Sequence, residues 1–382
     1  MCGIFGMLAS GGSISPRLPE QASSSEHGGL RLMPARTEDT AKMLFVKRIP
    51  SLDGLRAISI LLVVLGHLAK SHHAPQIFWD AYALIGVRIF FVISGFLITM
   101  ILSKEHTRTT TISLRTFYIR RAYRIFPAAL VFMLAMVAVF WREFRWYNIA
   151  AAFLYLANFD YSRPWIFGHL WSLSVEEQFY FLWPSILKRW YQHRLVILVS
   201  VIALAPVGQM LLYLAKFRGG AIAGFPGVAA DLAAGCLLAV VAHRLPRISR
   251  YYALMMLLAV ALVPLFAGNT RGKTILLVFI LDPVLRLSIA GLLLHVVQSP
   301  YAILNWRPVS WLGRISYSLY LWQQPFCSDP SLRSGYLALL ALALACLSYY
   351  LVELPMLRRR EKKVRAPQDI SSIAEAVSTP AA

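Results

Sequence analysis

The chain has 382 residues, of which 58% are hydrophobic and 15% charged, and its formal net charge is +20. A mean hydropathy of +0.59 excludes a soluble globular domain of ordinary composition, so the composition predicts a membrane protein with several spans. The positive charge does not indicate nucleic-acid binding, because Lys and Arg occur in short clusters between apolar runs, as topology signals do. The four cysteines, Cys2, Cys236, Cys327 and Cys346, have no paired spacing, and we expect neither a disulfide framework nor a metal site.

The first residues of the chain, 1–45, are polar, and their Ser, Gly, Pro and charge content predicts a disordered cytoplasmic extension. Its opening MCGIFG looks like the start of an amidotransferase with Cys2 as nucleophile, but 45 polar residues cannot supply the globular domain that such an enzyme needs. No cleavable signal peptide is evident, because the first long apolar run begins only after Leu52. We expect a membrane domain over residues 46–357 and a basic, then polar, cytoplasmic tail over 358–382.

The apolar runs predict an all-α fold, a bundle of about ten transmembrane helices, since each run is near the roughly 20 residues needed to cross the hydrocarbon core. We place these spans at about 54–72, 82–102, 121–141, 169–188, 194–215, 225–243, 251–268, 274–297, 309–327 and 334–354. The segment 147–159 is apolar but too short to cross, and we expect it to be half-buried. When ten spans alternate, most basic clusters fall on one side, which predicts that both termini are cytoplasmic.

The stretch SLDGLRAISILLVVLGH, residues 51–67, carries two ionisable residues on one predicted helix face. Arg56 and His67 are eleven residues apart, which is ~1100° of rotation and ~16 Å of rise, so one lies near a membrane surface and the other well inside. A histidine in a span can simply hydrogen-bond a neighbouring helix. Imidazole is also suited to accept a proton from a hydroxyl at neutral pH, and burial favours its neutral form. We interpret the pair as the entrance and the centre of an active site.

A basic cluster lies at the start of the third predicted span, within RTFYIRRAYRIFP, residues 115–127. Arg120 and Arg124 share a helix face at i, i+4, and Arg121 lies beside them. Each arginine alone is explained equally well as a positive-inside anchor. Together, at a helix N-terminus beside a polar loop, they predict a cradle for the phosphates of a nucleotide-bearing donor.

Polar residues also enter an aromatic helix in GHLWSLSVEEQFYFLWP, residues 168–184. Glu176 lies on one stripe with Phe179 and Tyr180, so we expect it to face the bundle interior, where it could orient a histidine or bind an acceptor hydroxyl. Pairing of the two adjacent glutamates with an arginine is the alternative. In FFVISGF, residues 90–96, Ser94 and Gly95 favour close helix packing.

Six motifs follow one another along the hydrophobic region: LDGLRAISILLVVLGH, GVRIFFVISGFLIT, FYIRRAYRIFP, HLWSLSVEEQFYFLWP, GRISYSLYLWQQP and YYLVELP. In this order and spacing they resemble the membrane acyltransferase-3 family, the O-acyltransferases of bacterial glycans, over about residues 51–355. The combination is highly specific, although each motif alone is not. The resemblance implies a ten-helix bundle that uses cytoplasmic acetyl-CoA, or another acyl-CoA, to acylate a sugar hydroxyl.

The family's motif positions carry over onto residues of this chain. Its motif of Arg, ten residues and His falls on Arg56 and His67, its paired arginines on Arg120 and Arg121, and its Glu-x-Gln-Phe motif on Glu176, Gln178 and Phe179. We therefore expect His67, Glu176 and Arg56 to be catalytic, Arg120, Arg121 and Arg124 to bind the donor, and Asp53, Ser94, His169, Trp171 and Gln178 to bind the substrate.

Two positions depart from the family pattern. Many relatives carry an acid before the paired phenylalanines of the second span, where this chain has Arg88, so a charge network there is in doubt. Many also carry His in the Tyr-Leu-Trp-His run, where this chain has Gln323, and we expect no proton chemistry from that side chain. Some relatives append a soluble hydrolase-like domain, and we expect this chain to act alone or to hand its product to a separate protein.

The sequence thus predicts a bacterial inner-membrane O-acyltransferase whose partners are acyl-CoA, a carbohydrate acceptor and the lipid bilayer. His67 would activate the acceptor hydroxyl or briefly carry the acyl group itself. A transporter or flippase for a lipid-linked sugar would use the same buried charges as a path, but no inverted repeat is visible. Acylation of a small secreted molecule, such as a macrolide or a lipo-oligosaccharide signal, is a further alternative.

Overall fold

The computed structural model describes residue 49 and residues 51–71, 76–215, 225–267, 274–327 and 336–359, which form helices joined by turns, with no strand among them. The predicted all-α fold class is confirmed for this part of the chain. The predicted disordered extension, with Cys2, and most of the basic tail lie outside the described residues.

The helices of the described residues, in chain order, are α1 Leu52–Ser71, α2 Gln76–Thr109, α3 Leu114–Val139, α4 Trp146–Phe153, α5 Leu170–Arg189, α6 Arg194–Leu214, α7 Phe225–Val241, α8 Arg250–Ala267, α9 Thr274–Leu276, α10 Asp282–Gln298, α11 Ala302–Asn305, α12 Arg307–Cys327 and α13 Tyr336–Ser348. A π-helical stretch, Leu277–Leu281, joins α9 to α10, and another, Tyr349–Glu353, follows α13. The short apolar segment at 147–159 contributes the eight-residue helix α4.

Each of the ten predicted spans overlaps helical residues of the structure, and the span at 274–297 comprises α9, the π-helical stretch and most of α10. Seven helical segments of the described residues are both long and apolar enough to cross a membrane: Leu52–Ala69, Tyr82–Thr109, Leu114–Val139, Tyr191–Leu214, Pro226–Arg244, Leu277–Gln298 and Leu337–Arg359. Helix α8 has a shorter apolar segment, and α5 and α12 carry polar residues along their length. The length and apolar composition of these helices are therefore those of a membrane protein, and the count of about ten spans stays a prediction.

The start of α1 is fixed by contacts with α11. Ser51 has a left-handed backbone (φ 68°), and its amide donates to Oδ1 of Asn305 at 2.6 Å. Its hydroxyl accepts from the amide of Tyr301 at 3.1 Å and from Nδ2 of Asn305 at 2.9 Å. These contacts hold the first turn of α1, and with it Arg56, against the end of the bundle.

Helices α2 and α7 approach closely at two glycines. A Cβ at Gly95 would meet the backbone of Leu232, and one at Gly235 would meet the backbone of Val92. Small residues at such a crossing let two helix backbones pack directly against each other. The expectation of close packing at Gly95 is thus explained by α7.

A buried ion cluster joins α2, α7 and α10. Arg88 donates through Nε and Nη2 to the two carboxylate oxygens of Asp231 at 2.9 and 3.1 Å, and through Nη1 to Asp282 at 2.6 Å. Arg286 donates from Nε to Oδ1 of Asp231 at 2.9 Å. All four side chains are buried. Arg88, the position at which the sequence raised doubt about a charge network, is therefore the centre of one.

The cluster is balanced in charge, with two arginines and two aspartates. Charges buried in an apolar interior are tolerated only when they are paired and hydrogen-bonded. The bidentate contact of Arg88 with Asp231 also restricts the relative rotation of α2 and α7. The cluster and the glycine crossing together position the part of α2 that carries Ser94.

We predict that Arg88→Met destabilises the protein, because it leaves two buried carboxylates without their shared cation. Removal of one partner from a buried ion pair costs about 3–5 kcal/mol. Thermal unfolding in detergent micelles should show a clearly lower transition temperature than the native protein. The matched control is Arg250→Met, since Arg250 is exposed; equal loss in both variants would contradict a special role for the cluster.

Candidate active site

A cavity that is open on one side lies between α1, α2, α3, α5 and α12. Its lining combines apolar side chains with three arginines, one glutamate and several hydroxyl groups. The lining residues are Arg56, Val87, Phe90, Phe91, Ser94, Arg121, Arg124, Ile125, Ser172, Leu173, Glu176, Tyr180, Ser316, Tyr317 and Tyr320. The structure thus brings together five of the residues predicted from the sequence: Arg56, Ser94, Arg121, Arg124 and Glu176.

The arginines of the cavity come from two helices. Arg121 and Arg124 are three residues apart on α3, and the guanidinium of Arg121 lies 4.4 Å from the ring centroid of Tyr180. Arg56 projects from α1, with Nη1 3.7 Å from Oδ1 of Asp53. Arg120 is half-buried and is not part of the described lining. The cavity therefore presents a cationic wall to an anionic ligand, with Arg121 held by its aromatic neighbour.

Glu176 is held in the cavity by two hydroxyl donors. Ser94 and Tyr180 both donate short hydrogen bonds to Oε1 of Glu176. The Tyr180 hydroxyl also lies 3.2 Å from Oγ of Ser94. Tyr180 is one helical turn after Glu176, on the stripe that the sequence identifies, but nothing in the sequence alone indicated that it binds the carboxylate. This arrangement orients the glutamate and leaves its charge next to the cationic wall.

His67 lies outside the described lining of the cavity and contacts α12. Its Nδ1 is 2.6 Å from Oε1 of Gln323, a side chain that is completely buried. His169 packs edge-on against Tyr320, with ring centroids 5.3 Å apart. Neither ring nitrogen of His169 has a hydrogen bond of good geometry.

Tyr320 connects the cavity with the histidines. Its ring lines the cavity and packs against His169. Its hydroxyl lies 2.5 Å from Oγ of Ser172 and donates to the carbonyl oxygen of His169 at 3.1 Å. Arg56 thus lines the cavity, whereas His67 contacts Gln323, which is one turn after the cavity-lining Tyr320 on α12.

A family model described as an acyltransferase domain matches residues 49–351, which is most of the chain. The chain belongs to the acyltransferase-3 family. The resemblance identified from the motifs is thereby confirmed.

Two curated relatives of this chain have names that specify peptidoglycan O-acetyltransferases. The peptidoglycan O-acetyltransferase OatA of Listeria monocytogenes is 32% identical over 317 residues, 73% of this chain and 49% of that protein. The putative peptidoglycan O-acetyltransferase YrhL of Bacillus subtilis is 30% identical over 360 residues, 81% of this chain and 55% of that protein. The chain spans about half the length of these relatives. No solved structure matches it significantly.

Gln178 of the acyltransferase-3 motif Glu-x-Gln-Phe contacts a loop and not the cavity. Its Nε2 donates to the carbonyl oxygen of Tyr155 at 2.8 Å and to Oδ1 of Asn158 at 2.9 Å. Tyr155 has a left-handed backbone, φ 55°, which such contacts stabilise. Gln178 therefore connects α5 to the segment between α4 and α5.

Of the other residues predicted to bind the substrate, one lines the cavity and three lie beside or behind its lining. Ser94 lines the cavity, whereas Asp53 pairs with Arg56 and His169 lies behind Tyr320. Trp171 is half-buried and packs edge-on against Phe91, with ring centroids 6.3 Å apart. Their part in substrate binding remains a prediction.

The loop between α4 and α5 is stabilised by polar contacts. Arg163 donates to the carbonyl oxygens of Asp160 at 2.7 Å, Ala157 at 3.1 Å and Gly168 at 3.3 Å. Burial lowers the pKa of Arg163 from its ordinary value, and Asp160 opposes that shift. The loop thus has its own hydrogen-bond network in addition to the contact with Gln178.

We predict that Gln178→Leu loosens this loop, because two donated hydrogen bonds are lost. A loss of about 1–2 kcal/mol corresponds to roughly 5–30-fold faster amide exchange in residues 155–163. Hydrogen exchange followed by mass spectrometry in detergent measures this directly. Gln192→Leu is the control, since Gln192 is exposed; unchanged exchange in Gln178→Leu would refute the loop-holding role.

Proposed function

We propose that the chain is an integral membrane O-acyltransferase that moves an acyl group, most simply acetyl, from acyl-CoA to a hydroxyl of a surface or secreted carbohydrate. The observation that carries the proposal is the cavity of Arg56, Arg121, Arg124 and Glu176 in a member of the acyltransferase-3 family. An acyl-CoA carries several phosphate charges, and guanidinium groups bind phosphates well. The names of the relatives support O-acetylation as the reaction.

The proposed membrane arrangement has about ten spans, with α5, α8 and α12 added to the seven apolar segments. Both termini are cytoplasmic in this arrangement, in agreement with the distribution of Lys and Arg. Arg121 and Arg124 lie in the first turns of α3, at the end that then faces the cytoplasm. The donor phosphates would meet these arginines from the side where acyl-CoA is found.

The proposed chemistry assigns proton transfer to His67. Its unprotonated ring nitrogen accepts the proton of the acceptor hydroxyl while the hydroxyl oxygen attacks the thioester carbon. The new C–O bond replaces the C–S bond, and the imidazolium returns the proton to the departing thiolate. In a second route the same nitrogen attacks the thioester carbon first and expels the thiolate. The acceptor hydroxyl then takes the acyl group from the nitrogen, and its proton passes to the thiolate. Both routes require that this nitrogen has a free electron pair.

Glu176 has a supporting role in this proposal. Its carboxylate already accepts hydrogen bonds from Ser94 and Tyr180. These contacts fix its orientation in the cavity, where it can accept a hydrogen bond from an acceptor hydroxyl. The acceptor itself is proposed from the relatives, whose names specify peptidoglycan, a polymer of the cell envelope.

We predict that His67→Ala abolishes acetyl transfer from labelled acetyl-CoA to glycan in membranes that contain the protein. General-base catalysis contributes about 10²–10⁴-fold, so the rate should fall at least 100-fold. Protein abundance in the membrane, measured by immunoblot, should be unchanged. His193→Ala is the matched control, since His193 is exposed. Normal transfer by His67→Ala would contradict the catalytic role of His67. Transport without labelled product would favour the flippase alternative.

We predict that Arg121→Ala and Arg124→Ala raise the apparent KM for acyl-CoA more than Arg120→Ala does, because only the first two line the cavity. Loss of one charge-assisted hydrogen bond, about 1.5–3 kcal/mol, corresponds to an increase of roughly 10-fold or more. Initial rates at varied acyl-CoA concentration measure this effect. A larger increase for Arg120→Ala would show that the donor binds elsewhere on α3.

The acceptor can be identified from cells. Mass spectrometry of surface and secreted glycans from a deletion strain, compared with its parent, should show loss of a single type of O-acetyl group. An acylated small molecule missing from the culture medium, with all envelope glycans unchanged, would instead support the secreted-molecule alternative.

A further inference from the structure

Gln323 has two hydrogen-bonding groups with different neighbours. Its Oε1 is 2.6 Å from Nδ1 of His67, and its Nε2 donates to the carbonyl oxygen of Tyr320 at 3.5 Å. If the amide were turned over, its oxygen would face the carbonyl oxygen of Tyr320 with no donor between them, so the amide nitrogen of Gln323 belongs on the side of Tyr320. The amide oxygen is thereby directed at the histidine.

The orientation of this amide determines the position of the hydrogen on His67. An amide oxygen can only accept a hydrogen bond, so Nδ1 must carry the hydrogen in this contact. In a neutral imidazole the other nitrogen, Nε2, then has the electron pair. The contact therefore selects one of the two tautomers.

We propose that Gln323 is a positioning residue for the acyl-transfer reaction, which holds His67 in the tautomer with hydrogen on Nδ1 and the reactive electron pair on Nε2. This inference rests on the proposed function, in which His67 is the base or the acyl carrier. The partner that orients a catalytic histidine through its second nitrogen determines which nitrogen is available for chemistry. Gln323 would act through His67 and would not touch the substrate.

The protein fixes Gln323 firmly enough for this purpose. Gln323 is completely buried, and Tyr320, one turn earlier on α12, is hydrogen-bonded to Ser172 and to the backbone of His169. The next residue, Gln324, donates from Nε2 to the carbonyl oxygen of Trp165 at 3.0 Å. Contacts on both sides therefore restrict the rotation of α12 about its axis.

A neutral partner suits the surroundings of His67. A carboxylate at this position would favour the imidazolium, which cannot act as a base. On the helices packed against α1, Arg88 of α2 is held by Asp231 and Asp282, and the hydroxyl of Tyr320 of α12 lies 2.5 Å from Oγ of Ser172. His169, which precedes α5, packs against Tyr320. The amide of Gln323 thus provides orientation without adding a charge.

The first test is the pH dependence of acetyl transfer by Gln323 variants in membranes. Gln323→Leu removes the acceptor, and we expect the rate to fall at least 10-fold with little change in the pH midpoint of the acid limb. Gln323→Glu puts a carboxylate beside Nδ1, and we expect the acid limb to move to higher pH by roughly one unit, since negative charge favours the imidazolium. Arg314→Leu is the matched control on α12, since Arg314 is exposed, and it should retain the native midpoint.

Two results would overturn the proposal. One is a native rate in Gln323→Leu, and the other is a pH profile of Gln323→Glu that superimposes on the native profile. Equal shifts in Arg314→Leu and Gln323→Glu would also count against it, because the effect would then come from general disturbance of α12.

The second test does not depend on activity. Solid-state nitrogen NMR of the protein labelled at histidine distinguishes protonated from unprotonated ring nitrogens, and the His67 signals are assigned by their loss in His67→Ala. We expect a protonated Nδ1 in the native protein and a mixture of tautomers in Gln323→Leu. The reverse tautomer in the native protein would refute the inference even if acetyl transfer is confirmed. The expected tautomer with no acetyl transfer would refute the proposed function and leave the Gln323 contact as a structural feature.

Discussion

Polar side chains inside an apolar helical bundle must find partners in the protein, because neither lipid nor apolar side chains can replace the water that they lose. In the described part of this chain three groups illustrate how that constraint is met: the Arg88 ion cluster, the hydroxyls around Glu176, and the contact of His67 with Gln323. Each group joins helices that are far apart in the sequence. Helix α2 takes part in two of them, since it carries both Arg88 and Ser94. The packing of the bundle and the geometry of the site therefore depend on the same pairings.

The ion cluster and the cavity differ in how their charges are balanced. In the cluster two arginines face two aspartates, all four side chains are buried, and the charges compensate one another. In the cavity the lining has three arginines and one glutamate, and of these arginines Arg56 pairs with Asp53. A compensated, closed cluster gains little from an added anion. An open wall with several guanidinium groups gains both charge neutralisation and hydrogen bonds, which is why we assign ligand binding to the cavity and a structural role to the cluster.

The sequence was sufficient for the fold class and for the approximate position of each helix, because apolar runs of the right length leave few other structures in a membrane. It also identified Arg56, Arg121, Arg124, Glu176 and Ser94, which the structure brings into one cavity. It could not identify partners, since the pairs that matter are separated by 143 residues for Arg88 and Asp231 and by 256 for His67 and Gln323. Gln323 illustrates the difficulty. As a departure from the family pattern it was expected to do no proton chemistry, and only the contact with Nδ1 indicates how a neutral amide can still influence a neighbouring base.

The sequence also could not supply the rotation of each helix about its own axis, which decides which side chains point into the site. Successive residues on a helix are about 100° apart, so Arg120 and Arg121 point in clearly different directions. Arg124 lies between these two directions when the helix is viewed along its axis. The i, i+4 spacing favoured Arg120, whereas the stacking of Arg121 on Tyr180 turns Arg121 into the cavity. Ser94 and Gly95 show the same effect on α2, because Gly95 faces the backbone of α7 and Ser94 faces Glu176. Periodicity defines the faces of a helix, and the close contacts of one or two side chains then decide which face borders the site.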